Sequence, residues 1–149
     1  MTAILVDTNV LVYAHDRGEF VKQGQAIEIL GQLQTTGSGR LSAQCLAEFF
    51  CVITRGPAPR LTFAEASLQV ERLARAWPVV DVTLQIVLEA ARGVRDHQLN
   101  FWDAQIWAAA RLNQIPVVFS EDFSDGCVLE GVRFVNPFAR DFQIEEWAA

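Results

Sequence analysis

The chain has 149 residues, 51% of them hydrophobic and 20% charged, and a formal net charge of −6. This composition fits one folded domain over residues 1–149 and excludes an intrinsically disordered chain. No apolar run approaches the roughly 20 residues of a membrane span, the opening M-T-A-I-L-V-D lacks a basic leader region, and the acidic balance argues against simple electrostatic clamping of nucleic acid.

In chain order, strands and helices alternate. Ala3 to Val6 is wholly apolar, as in a strand buried on both faces of a parallel sheet. A short helix is expected from Asn9 to His15. A second is expected from Phe20 to Gln34, with Ala26, Ile27, Leu30 and Leu33 inward, ended by T-T-G-S-G. Ser42 is placed to cap a third helix running to Thr54, and G-P-A-P stops it. Phe63 to Ala76 is amphipathic, with Ala66, Val70 and Leu73 inward. Pro78 to Val80 reads as a strand and Thr83 to His97 as a helix. Asn100 is placed to cap a helix reaching Asn113. Strands are expected at Pro116 to Phe119 and Val132 to Val135, then a turn at Asn136-Pro137. A short tail helix would turn Phe138, Phe142 and Trp147 inward. This alternation predicts an α/β sandwich with a mostly parallel sheet, whose sites gather at the carboxyl ends of strands.

Three cysteines, Cys45, Cys51 and Cys127, form no C-x-x-C pair, which points to free thiols in a reducing cytoplasm. Cys45 and Cys51 fall on different faces of one helix, an arrangement unsuited to zinc.

Four acids stand out. Asp7 ends the first strand, either as a helix cap or as a carboxylate at the sheet edge. Asp103 is third in the helix after Asn100, favourable for the helix dipole, beside Trp102, Ile106 and Trp107, which point to a largely buried helix. Asp122 competes with Glu121 and Asp125 in the loop S-E-D-F-S-D-G after a strand. Glu48 lies in C-L-A-E-F-F-C-V-I, where an uncompensated charge is costly and neutralisation should raise the stability of metal-free protein. Arg55 is its nearest basic partner along the helix. Clustered carboxylates without His or Cys suit Mg²⁺ or Mn²⁺.

The segments V-D-T-N-V-L-V-Y-A-H-D, A-E-F-F, F-W-D-A-Q-I-W-A-A-A, F-S-E-D-F-S-D-G and G-V-R-F-V-N-P-F resemble PIN-domain ribonucleases, nearest to the VapC-type toxins of bacterial toxin–antitoxin pairs. The resemblance runs from Ala3 to about Phe138. It implies a PIN-like three-layer sandwich with a mostly parallel central sheet flanked by helices. It implies that Asp7, Glu48, Asp103 and Asp122 are the catalytic and metal-binding acids. Thr8, Asn9 and Ser120 would support them. Asp125 would be an outer ligand, a replacement for Asp122, or a turn residue. The implied activity is cleavage of RNA phosphodiester bonds by metal-activated water, leaving a 5′-phosphate and a 3′-hydroxyl. The implied partners are the RNA, a small DNA-binding antitoxin and a second copy, in the cytoplasm and away from membranes.

Other readings are a PIN-type nuclease that is not a toxin, acting on other RNA or DNA, and a non-catalytic PIN-like binding module. A phosphatase with Asp7 as nucleophile is disfavoured, because it wants an acid where Asn9 stands.

Overall fold

In the computed structural model, residues 1–148 are described. The apolar opening forms β1 (Ile4–Val6), buried along its whole length. Then follow α1 (Thr8–Tyr13), α2 (Phe20–Thr36), β2 (Gly39–Ser42), α3 (Ala43–Ile53), α4 (Phe63–Ala76), β3 (Val79–Val80), α5 (Leu84–His97), α6 (Phe101–Leu112), β4 (Val117–Phe119), β5 (Val128–Leu129) and β6 (Val132–Val135). A single 3-10 turn, Ile144–Glu146, closes the described chain. Among the described residues, no helix is long and apolar enough to cross a membrane.

The sheet order is β3-β2-β1-β4-β6-β5. Every pairing is parallel except that of β5 with β6. The fold is therefore the expected α/β sandwich, its mostly parallel sheet flanked by helices. From β1 the chain adds β2 and β3 to one side and β4 and β6 to the other. The order thus reverses between β1 and β4, and a cleft opens beyond the carboxyl ends at such a reversal.

Local chemistry sets the helix starts. Ser42 Oγ accepts from Cys45 N at 3.1 Å. Thr62 and Glu65 form a reciprocal capping box. Thr83 accepts from Ile86 N, and Asn100 from Asp103 N. α6 is buried from Ala104 to Ala110 and packs closely on α5.

Three details depart from the sequence pattern. β2 and β5 were not expected. G-R-L-S lacks an apolar run, and Gly39 is there because Trp77 packs over it. Val128 and Leu129 are a strand by virtue of a short hairpin and of Trp107 Nε1, which donates to Leu129 O at 3.1 Å. On α2 the inward face is Ala26, Ile29 and Leu33, while Ile27 is 55% exposed. The tail forms one 3-10 turn in place of a helix. Phe138, Phe142 and Trp147 do pack on the core, with Ile144 and Ala148 deeper.

A Cβ at Gly39 would lie 2.1 Å from the Trp77 ring, whereas at Gly31, in α2, it would meet nothing within 4 Å. Urea denaturation is expected to show Gly39→Ala losing roughly 1–3 kcal/mol by overpacking. Gly31→Ala should gain about 0.5–1 kcal/mol from helix propensity. Equal effects would show that Trp77 is free to move aside.

Candidate active site

β1 and β4 run side by side with Val6 opposite Phe119, and Asp7 N donates to Phe119 O at 3.0 Å. The next residue of each strand, Asp7 and Ser120, therefore meet at the strand-order reversal. Ser120, fully buried, donates its hydroxyl to Asp7 Oδ2 at 2.7 Å. Its oxygen accepts from Asp122 N at 3.1 Å and from Asn9 Nδ2 at 3.4 Å. The other Asp7 oxygen accepts from Thr8 N at 2.7 Å, so Asp7 is both helix cap and sheet-edge acid.

Asn9 Nδ2 also donates to Asp122 Oδ2 at 3.1 Å, which draws Asp122 over the end of β4. Asn9 Oδ1 is buried and has no hydrogen-bond partner among the described residues. Asp103 enters from the first turn of α6. Its carboxylate accepts from Asn100 Nδ2 at 2.6 Å, while its backbone N donates to Asn100 Oδ1 at 3.0 Å.

Asp7 is only 5% exposed, and burial pushes its pKa up to about 6. The Ser120 and Thr8 hydrogen bonds oppose that rise, and the charges of Asp122 and Asp103 add to it. Burial likewise raises Asp103, with Asn100 opposing and Asp122 adding. These three acids thus share one electrostatic field. Glu48 approaches through α3. It and Asp7 both act on the buried thiol of Cys45, which burial, first of all, pushes up to about 12.

Glu48 is half-buried, and its Oε1 accepts from Gln44 Nε2 at 2.8 Å. Gln44 Nε2 also reaches Trp102 O at 3.1 Å, and Gln44 Oε1 accepts from Gln105 Nε2 at 2.7 Å. Two buried amides therefore join α3 to α6 and aim Glu48. The sequence reading missed them. Their signal was two glutamines on otherwise apolar helix faces. The expected penalty at Glu48 is corrected here: the acid costly to bury is Asp7, whereas Glu48 is partly solvated and bonded to an amide. Arg55 makes no ion pair with it.

The three loop acids separate cleanly. Glu121 accepts from Tyr13 Oη and pairs with Lys22 at 2.9 Å. Asp125 accepts from Asn136 N at 2.8 Å and braces the turn before Pro137. Of the three, Asp122 is the one whose charge acts on Asp7 and Asp103.

Six acids among the described residues are not fully exposed: Asp7, Asp16, Glu48, Glu89, Asp103 and Glu121. Asp16, Glu89 and Glu121 are paired with Arg or Lys. Asp7, Glu48 and Asp103 are held by hydroxyl, amide or backbone donors alone. This oxygen donor set, opposed by no cation, fits a hard divalent ion. As placed, no three His, Cys, Asp or Glu side chains among the described residues converge closely enough to hold one. Like charges repel, and each carboxylate rests on its own neutral donor.

Beside Glu48 lies an open groove of about 560 Å³, lined by Gln44, Glu48, Cys51, Arg55, Val82 and Trp102 among others. α6 is largely buried, as expected, from Ala104 to Ala110, but Trp102 is 61% exposed.

The PIN domain family matches residues 4–124, a span that holds Asp7, Glu48, Asp103 and Asp122 and ends before Asp125. No curated protein matches the chain. Among solved structures, Mycobacterium tuberculosis VapC20, described as a sarcin–ricin loop cleaving toxin, is similar at 24% identity and a TM-score of 0.66. The match covers 88% of this chain and 99% of that one. A toxin–antitoxin complex from Klebsiella pneumoniae is similar at 17% identity and a TM-score of 0.65, covering 91% and 98%. DNA-bound VapBC from Salmonella typhimurium is similar at 17% identity and a TM-score of 0.60, covering 90% and 97%. At these identities the likeness is one of fold.

With Asp7 raised to about 6, folding favours its protonated form. Its contribution to stability is then complete below about pH 4 and lost as pH rises through about 6. In metal-free buffer, the unfolding free energy of wild type relative to Asp7→Asn is expected to fall by roughly 3 kcal/mol between pH 4 and pH 8. A difference that stays level across urea melts in this range would show Asp7 ionised throughout.

Proposed function

The chain belongs to the PIN-domain family, and on that premise we propose that it is a Mg²⁺- or Mn²⁺-dependent endoribonuclease, the toxin of a toxin–antitoxin pair. The observation that carries the reading is that Asp7, Asp103 and Asp122, which act on one another, and Glu48 on α3 are held by neutral donors and, among the described residues, paired with no cation. Such a site is electrostatically unfinished, and a divalent ion completes it.

Asp7, Glu48, Asp103 and Asp122 would hold the ion. Bound there, it supplies an activated water and neutralises charge on the scissile phosphate. The protein's own part is orientation. Ser120 and Thr8 N–H fix the Asp7 carboxylate, Asn9 steers Asp122, Asn100 pins Asp103, and the Gln44–Gln105 relay aims Glu48. Asp125 serves the turn at Asn136.

Two divalent ions would bring the formal charge from −6 to about −2, which lessens the repulsion of an RNA strand. A small DNA-binding antitoxin and a second copy of the chain are the proposed protein partners, in the cytoplasm. Leu84, Val87, Leu88 and Val94 are exposed along α5 and offer an apolar face for such contacts.

The test incubates the purified protein with a panel of structured RNAs in Mn²⁺, in Mg²⁺ or in chelator. Cleavage is expected only with metal. Asp7→Asn or Glu48→Gln should lower it at least about 100-fold while circular dichroism stays native. Cleavage that persists in chelator would overturn the metal mechanism.

A further inference from the structure

The groove beside Glu48 has a direction. One end carries Glu48 and Gln44. The other lining charge is Arg55, just past the C-terminal end of α3. Arg55 makes no ion pair among the described residues. Between these charges the wall is apolar, and Trp102 projects into it next to Asp103 in the chain.

Trp102 is large, 61% exposed, and braced: Phe101 meets it edge-on, with centroids 5.4 Å apart and planes at 85°. Its backbone carbonyl is held by Gln44, the amide that also holds Glu48. The indole is thus positioned by the network that aims a candidate metal ligand. A rigid aromatic face, a free guanidinium and an apolar trough are the elements of a single-strand nucleic-acid subsite.

Resting on the nuclease reading above, we propose that this groove binds one unpaired nucleotide flanking the scissile phosphate, with its base stacked on Trp102 and its phosphate on Arg55. The base it takes must be unpaired, since a base stacked within a duplex presents no free face. An apolar protein helix fits less well. It would leave Glu48 and Arg55 facing uncharged atoms.

The test is a binding measurement on the full chain carrying Asp7→Asn, in Ca²⁺, with fluorescently labelled single-stranded RNA of random sequence. Adding Trp102→Ala should weaken binding roughly 5- to 100-fold, and Trp102→Phe should restore most of it. Tryptophan fluorescence should quench on binding, and Trp102→Phe should abolish that quench. Arg55→Ala should lower the slope of log affinity against log salt by about 0.7. Cys51, exposed on the same wall, should be protected by RNA from iodoacetamide, read by mass spectrometry.

Unchanged binding by Trp102→Ala would overturn the subsite, as would Cys51 protection by an amphipathic helical peptide and not by RNA. Failure of the nuclease reading would appear separately, as RNA left uncut by wild type in Mn²⁺.

Discussion

One hydrogen bond organises the site, from Ser120 Oγ on the β4 side to Asp7 Oδ2 on the β1 side. It exists because β1 and β4 are neighbours in register, so the residues after Val6 and Phe119 emerge together. A serine hydroxyl has one proton and two lone pairs. Here the proton goes to Asp7, and the lone pairs take Asp122 N and Asn9 Nδ2. A buried carboxylate, a loop and a helix residue are therefore tied through one oxygen. Asp7 stays largely desolvated at that point, which raises its pKa to about 6.

Around this point the protein divides its acids by the donors it gives them. Glu89 and Glu130 sit in an arginine and histidine network on α5, α6 and the β5–β6 hairpin, and Glu121 is clamped by Lys22 and Tyr13. Those charges are satisfied within the protein. The acids facing the cleft receive neutral donors, which fix direction without cancelling charge. The Gln44–Gln105 pair does the same for Glu48 across two helices. Directional hydrogen bonds that leave a net negative field are what a site meant for an outside cation requires.

Much of this was legible in the sequence, unevenly. Ser42 and Asn100 announced their helices because capping is local chemistry. The run I-L-V announced a buried strand. G-R-L-S did not, since its strand character depends on Trp77, 38 positions after Gly39, covering a glycine. The choice among Glu121, Asp122 and Asp125 depends on Lys22, Asn9 and the backbone of Asn136, all distant in sequence. The exposure of Trp102 was not legible, because a helix rich in alanine and tryptophan shows no polar face. The candidate acids could be picked out in order along the chain, but the donors that orient them could not.

The position of β4 has a consequence for the order in which the protein becomes complete. β1 is made first and β4 nearly last of the parallel strands, so Asp7 waits across a separation of 113 residues for Ser120. Folding on the ribosome proceeds from the N-terminus. A nascent chain can pack β1, β2 and α1 to α3 while the middle of its sheet is still open. It has neither the Ser120 anchor nor Asp122 until β4 has been made. The acids therefore cannot come together until β4 and the residues just after it have been made, and translation products that stop before Ser120 lack the anchor.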